Sequence, residues 1–320
     1  MFDYTIKRIL QGFLLIFIVS ILTFLILKVI PADPATLILG TEASAENVEK
    51  LRESMGLNRP YYIQYIEWIS NAIRGDLGKS YYFGKSVNSL IHERLPSTFL
   101  LASTSIIITF FVSILLGTLA SLKRGKTFDH IIRLLTQIST AMPSFWLGMI
   151  ALTYLAARLK IFPITPSIDF SNKLSKNIYN IILPAVVLSL GQMGPLIRQV
   201  RSSMIYVLDS DYILSARIRG LSSKKIIFKY ALKSAIIAPI TLTGLQFANL
   251  FGGTAVIETI FSLAGIGRLL VVSVEQRDII LLQGIVLFIT SMVVIISIIT
   301  DIISSSLNKS IKMEISKWNQ

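Results

Sequence analysis

Several uninterrupted apolar runs dominate this sequence, and each approaches the ~20 residues that cover a bilayer core of ~30 Å. Six spans follow from them, over about Ile9–Ile30, Thr98–Leu122, Ile131–Ala157, Ile181–Ile197, Ser234–Glu258 and Ile279–Ser304. Inside lipid a helix satisfies its own backbone polar groups, so six helices are the economical solution. A barrel would show short segments of alternating polarity, and these runs are continuous. With 53% hydrophobic and 15% charged residues over 320 positions, the chain is too apolar for a soluble domain of its size. The expected fold class is an all-α integral membrane protein.

The first run follows Lys7 and Arg8 but is longer than a signal-peptide core. It ends in Lys28-Val-Ile-Pro31-Ala-Asp-Pro34 without a small-x-small cleavage pattern, so it reads as a permanent helix. Cysteine is absent, which excludes disulfides and thiol chemistry and leaves the redox environment open.

Charge sets the expected orientation. With the N-terminus inside, Lys7, Arg8, Lys123, Arg124, Lys126, Arg133, the Arg198–Lys233 group and the tail lysines Lys309, Lys312 and Lys317 share one side. Few acids accompany them (Asp3, Asp129, Asp209, Asp211, Glu314), whereas the other side balances its bases with Glu42, Glu46, Glu49, Glu53, Glu67, Asp76 and Glu93. This is the positive-inside signature, so the expected location is the cell membrane, multi-pass, with both termini cytoplasmic. The net charge of +13 is then mostly a topology signal. No basic face is organised with base-reading or stacking residues, so no nucleic-acid partner is expected.

The outer segment from Pro31 to Pro96 is too long for a simple connection and holds two helical patterns. One starts at Ser44 and stops at Gly56; the other runs from Pro60 to Gly75. Its Tyr61, Tyr62, Tyr65 and Trp68 suit an aromatic belt at the headgroups, with contact to substrate or a docking protein as the sharper reading.

Catalytic signals are thin. Gly78-Lys79-Ser80, Gly84-Lys85-Ser86 and Gly125-Lys126-Thr127 lack the glycine a phosphate loop needs five residues earlier, where Ile73, Lys79 and Ala120 stand. His92 and His130 fall on opposite sides of the membrane, and no metal-ligand spacing or Ser/His/Asp set assembles. The chain is not expected to be an enzyme or to hold a cofactor. Lys28, Glu258 and Asp301 lie near span ends, where snorkelling or a headgroup contact suffices; Glu258 is also the candidate for a translocation pathway. Pro143, Gly148, Pro184, Gly191, Gly194, Pro195, Gly244, Gly252 and Gly253 mark kinks or close helix contacts.

The polar segment Asp209–Lys233 must leave the bilayer on the basic side. Asp211–Arg219 suits a short helix with basic residues toward its end, Gly220 stops it, and Ser222 can cap a second helix over Lys224–Lys233. It suits either docking into a partner or lying on anionic membrane lipid, which would gain about 1 kcal/mol per basic residue.

The stretch Ser215-Ala216-Arg217-Ile218-Arg219-Gly220-Leu221-Ser222 resembles the coupling motif of ABC importer permeases, in its dipeptide/oligopeptide/nickel branch. The same branch is resembled by Ile30-Pro31-Ala-Asp33-Pro34, Gly56-Leu57-Asn58-Arg59-Pro60, Arg74-Gly75-Asp76-Leu77-Gly78, Glu93-Arg94-Leu95-Pro96 and Pro143-Ser144-Phe145-Trp146-Leu147-Gly148. Further matches are Gly244-Leu245-Gln246 and the run from Gly252 through Glu258, Gly265 and Gly267 to Leu269. Two positions depart from the general motif: Leu214, Ser215 and Ala216 stand where it has Glu-Ala-Ala, and Leu232-Lys233 replaces its Leu-Pro.

The resemblance implies a type I importer permease, the member with a long outer segment after its first helix. It divides the chain into 1–97, the first helix plus outer segment, and 98–320, a five-helix core carrying the coupling helix at about 209–233. It also implies a homologous second permease, two ABC ATPase subunits that bind ATP and Mg, and an extracytoplasmic binding protein. Asp211, Ser215, Ala216, Arg217, Arg219, Gly220 and Leu221 would couple to the ATPase. Ala216 and Gly220 would allow close approach and a turn, and Arg217 and Arg219 would pair with acids. The substrate would be a peptide, nickel or another small solute. A secondary transporter, which should show repeated interrupted helices, and a membrane scaffold are the rivals.

Overall fold

The computed structural model describes residues 2–29, 34–40, 43–166, 168 and 174–307. Ile30–Asp33 of the early motif, Glu42, the Lys28 side chain and the tail with Lys309, Lys312, Glu314 and Lys317 lie outside them. The described chain is helical, with one isolated bridge between Lys79 and Ser86.

Helix α1 (Phe2–Val29) leads to the outer segment with α2 (Pro34–Leu39), α3 (Ala45–Ser54) and α4 (Tyr61–Ile73). The Ser44 hydroxyl accepts from the Asn47 amide as an N-cap, and Gly56 (φ +68°) and Gly75 (φ +88°) follow the two helices, as expected. Tyr65 and Trp68 pack on Phe24 of α1, and the Tyr65 hydroxyl bonds Ser20 at 2.8 Å. Tyr61 and Tyr62 stay exposed, so the aromatic group is half core and half surface.

Four helices are long and apolar enough to cross a membrane, and two bent pairs bring the number to six if each pair is one span. The four are α1, α5 (Val87–Leu122), α8 (Leu174–Leu208) and α15 (Ile279–Leu307). The third expected span is broken: α6 (Thr127–Ala141) and α7 (Ser144–Ala151), which continues as a π-helix to Arg158, meet at 96°. Pro143 causes the break, because its ring disfavours helical backbone at Met142, which is extended at ψ 126°.

The fifth span also differs from expectation. It rises from α10 (Ser223–Lys225) through a π-helix (Ile226–Ala231) and α11 (Leu232–Ala235), then bends by 50° into α12 (Ile237–Gly253). It stops at Gly253, so Glu258 belongs to a separate short helix, α13 (Ala255–Ile260), followed by α14 (Ile266–Glu275). The fourth span is far longer than the apolar run Ile181–Ile197 suggested. Gln192, Arg198 and Arg201 lower its hydropathy without ending the helix, which also carries Pro184 and Pro195 internally.

α5 packs along most of α8, α12 on α15 and on α8, and α1 on α15. A β-carbon at Gly117 would stand 2.7 Å from Val200, and one at Gly194 2.7 Å from the Thr136 carbonyl, while Gly244 lies against Thr300. These small residues bring helices close where lipid supplies no hydrophobic drive. Gly191, Gly252 and Gly253 face open space instead. Helix α5 runs unbroken through positions 97 and 98, so the N-terminal part and the core share it.

The outer segment is fastened to the start of α15. Asp278 accepts from the Ser80 hydroxyl (2.6 Å) and the Tyr82 amide while capping α15 through the Leu281 amide at 3.0 Å. The Tyr81 hydroxyl donates to the Gln276 carbonyl, and burial, seconded by the Asp278 charge, pushes this phenol up to about 12. At the opposite end of the bundle, Arg8 pairs with Asp301 at 3.2 Å.

Candidate functional site

The basic segment forms α9 (Asp211–Ile218) as expected. It closes with a Schellman pattern: the Gly220 amide reaches the Arg217 carbonyl (2.9 Å) and the Leu221 amide the Ala216 carbonyl. Gly220 sits at φ +74°, where a non-glycine residue is strained. The next helix starts at Ser223, close to expectation, although the Ser222 hydroxyl makes no capping bond.

Ile213 and Ala216 are buried against Val200 and Met204 of α8 and against Ile226, Ala231 and Ala235. Ala216 therefore makes its close approach toward its own chain, which corrects its expected place at a partner surface. Burying such small and branched residues holds α9 at the foot of α8 by ordinary hydrophobic packing. The outward face carries Leu214 and Ile218, 54% and 79% exposed, one helical turn apart. Asp211, Ser215, Arg217 and Arg219 are exposed beside them and Leu221 is half-buried. Neither Arg217 nor Arg219 has a carboxylate partner among the described residues. Leu214 and Ile218 escaped the sequence reading because apolar residues on a short amphipathic helix look like its inward face.

Ion pairs tie this foot to the α5–α6 turn. Arg124 bonds Asp209 at 2.8 Å, and Arg201 grips the buried Asp129 with two bonds of 2.6 and 2.8 Å while Gly125 donates its amide. A cleft of about 430 Å³ opens between them, lined by Arg124, Asp209, Arg217 and Leu221 among others.

Glu258 is fully buried, not at a headgroup as its place in the sequence suggested. Its carboxyl accepts from the hydroxyls of Thr98 (2.7 Å) and Thr254 (3.0 Å) and from the Arg268 amide at 2.9 Å. Thr98 in turn accepts from the Ile266 amide at 2.8 Å. Glu258 and Thr98 thus satisfy two of the free N-terminal amides of α14, those of Arg268 and Ile266, and tie that helix to α5. Gly265 lies against the carboxyl, and a β-carbon at Gly267 would stand 2.6 Å from the Ala255 backbone. The glycine-rich run is thus one tightly built corner whose acid is a structural acceptor with no face open to a path. No group of three or more metal-ligating residues occurs among the described residues.

The described residues thus form a helical bundle with spans long and apolar enough to cross a membrane and a short helix packed at its basic foot. The chain belongs to the family of binding-protein-dependent transport system inner membrane components, whose model matches residues 113–313. The model for the N-terminal part of such membrane components matches residues 1–102. It is similar to a putative peptide transport system permease protein of Brucella abortus (strain 2308), 39% identical over 297 residues, 93% of this chain and 95% of the relative. The oligopeptide transport system permease protein AppB of Bacillus subtilis (strain 168) is 36% identical over 304 residues, covering 94% and 96%. The glutathione transport system permease protein GsiC of Escherichia coli (strain K12) is 33% identical over 312 residues, covering 98% and 99%. The protein is therefore a permease subunit of an ABC-type importer, a transporter component and not an enzyme.

Proposed function

We propose that this permease imports small peptides, paired with a homologous second permease, two ATPase subunits that bind ATP and Mg, and an extracytoplasmic binding protein that delivers substrate. The names of its relatives, which specify peptide, oligopeptide and glutathione transport, support the substrate class. Both termini and α9 lie in the cytoplasm, a reading supported by the basic residues gathered around the foot of α8.

One observation carries the coupling role: α9 buries Ile213 and Ala216 in its own chain while presenting Leu214, Ile218, Arg217 and Arg219 outward. That surface sets into a groove on the ATPase, the apolar pair filling it and the arginines meeting acids. Closure of the ATPases on ATP pushes α9, and through α8 and its ties to the α5–α6 turn moves the bundle as a rigid body between two states.

Gly220→Trp tests this role. No atom lies within 4 Å of a β-carbon there, so the ring clashes with nothing in the bundle, and Gly220→Ala, which bears the same strain at φ +74° without the bulk, is the control that isolates docking. Uptake by the reconstituted complex should disappear while membrane insertion persists. Wild-type uptake by a well-expressed variant would refute the assignment.

A further inference from the structure

The helices of this bundle expose two different kinds of surface. α1 presents Leu10, Phe13, Leu14 and Phe17 outward, α5 presents Ile107, Phe111 and Leu115, and α15 presents Ile295, Ile299 and Ile303, as lipid demands. α8 instead exposes Arg198, Ser202 and Tyr206, spaced by four residues along one face, with Tyr206 82% exposed. Beside this stripe a groove of about 850 Å³ with a mixed lining runs between α8 and α12, where Ser202, Tyr206 and Thr241 stand together with the apolar Val207, Leu242 and Leu245. Polar side chains in a row on a spanning helix face water or a partner, not hydrocarbon.

Arg198 is the charged member of the stripe. It lies about three turns, or ~15 Å, inside the end of α8 at Leu208. Its guanidinium reaches Thr136 and Thr140 of α6 through long bonds of 3.5 and 3.3 Å. At that level α6 exposes Leu134, Leu135 and Ile138, which marks the height of the hydrocarbon. Its neighbours in the basic foot are neutralised, Arg201 by Asp129 and Arg124 by Asp209. Arg198 has no carboxylate partner among the described residues. A guanidinium held at this depth calls for an anion, and its planar fork suits a carboxylate.

We propose that the α8 stripe lines the aqueous substrate path and that Arg198 receives the carboxylate of the passing solute. The proposal rests on the peptide-importer reading, since the C-terminal carboxylate of a peptide is the anion such a path would meet. It deepens that reading by assigning a specific contact on the way through.

The natural absence of cysteine makes the test clean. Arg198→Cys, Ser202→Cys, Phe13→Cys and Phe111→Cys would be made one at a time in the complete complex in proteoliposomes. Each is exposed to water-soluble methanethiosulfonates carrying either an ammonium or a sulfonate, and labelling of this chain is read by mass. Cysteines at 198 and 202 should react and those at 13 and 111 should not. Uptake of labelled trialanine by Arg198→Cys should fall at least about tenfold, the scale of one lost charged hydrogen bond. The aminoethyl adduct should restore it and the sulfonatoethyl adduct should not.

Equal effects of the two adducts, or wild-type uptake by the cysteine variant, would overturn the role of Arg198. A cysteine at 198 that reacts with lipid-soluble N-phenylmaleimide but not with the charged reagents would overturn the path and point to a lipid headgroup or a subunit contact. If the wild-type complex moves no trialanine, the peptide reading fails for that probe, while the labelling pattern still decides whether the stripe faces water.

Discussion

Replacing Gly265 by alanine drives a methyl group into the carboxyl of Glu258. The backbone at Gly265 is extended (φ −111°, ψ 175°) and open to any residue, so the cost comes from the collision and not from strain. To clear the methyl the carboxyl must leave Thr98, Thr254 and the Arg268 amide, three bonds of 2.7, 3.0 and 2.9 Å. At about 1 kcal/mol or somewhat more each, their loss costs ~3–5 kcal/mol. The alanine returns about 0.5–1 kcal/mol by restricting the unfolded chain. The net cost of ~2–4 kcal/mol should lower the unfolding midpoint of the purified permease by roughly 3–6 °C, given an unfolding entropy of about 0.7 kcal/mol/K for a chain of this length. Tryptophan fluorescence during heating in detergent would read it. A double-mutant cycle isolates the mechanism: in a Glu258→Ala background the methyl has room and the bonds are already gone, so Gly265→Ala should cost nothing further. Strictly additive effects, or a Gly265→Ala variant as stable as the parent, would refute the account of this corner.

The two faces of α9 should separate in the same way. Ile218→Asp should leave the midpoint within about 0.5 kcal/mol of wild type, as surface changes do, yet weaken ATPase association in pull-down; Ile213→Asp should unseat the helix and destabilise the chain. Asp129→Ala strands the Arg201 guanidinium and should cost about 3 kcal/mol, read as a lowered midpoint. Arg201→Met added to it should recover most of the loss.

The apolar runs foretold the four long apolar helices and the two bent pairs because hydropathy reports a local property, the cost of each side chain in lipid. The bend at Met142 was equally local and announced by Pro143. The true length of α8 was hidden, since Gln192, Arg198 and Arg201 lower the average even though one helix carries them. The place of Glu258 was hidden for a different reason. Its acceptors are satisfied by Thr98, on a helix distant in sequence, so the residue read as a boundary charge when it is a buried brace. For α9, propensity and Gly220 located the helix, but the side turned inward depends on what α8 and the following π-helix offer at its foot. The family resemblance singled out the α9 segment without distinguishing Ala216, packed inside, from Leu214 and Ile218, left outside.

The most direct test of the account is extraction of the protein from its native membrane in mild detergent, followed by identification of what travels with it in stoichiometric amounts. The account predicts a homologous permease and two ATPase subunits, with ATP hydrolysis by the complex and none by this chain alone. A homogeneous oligomer of this chain without ATPases, driving uptake from an ion gradient, would contradict it.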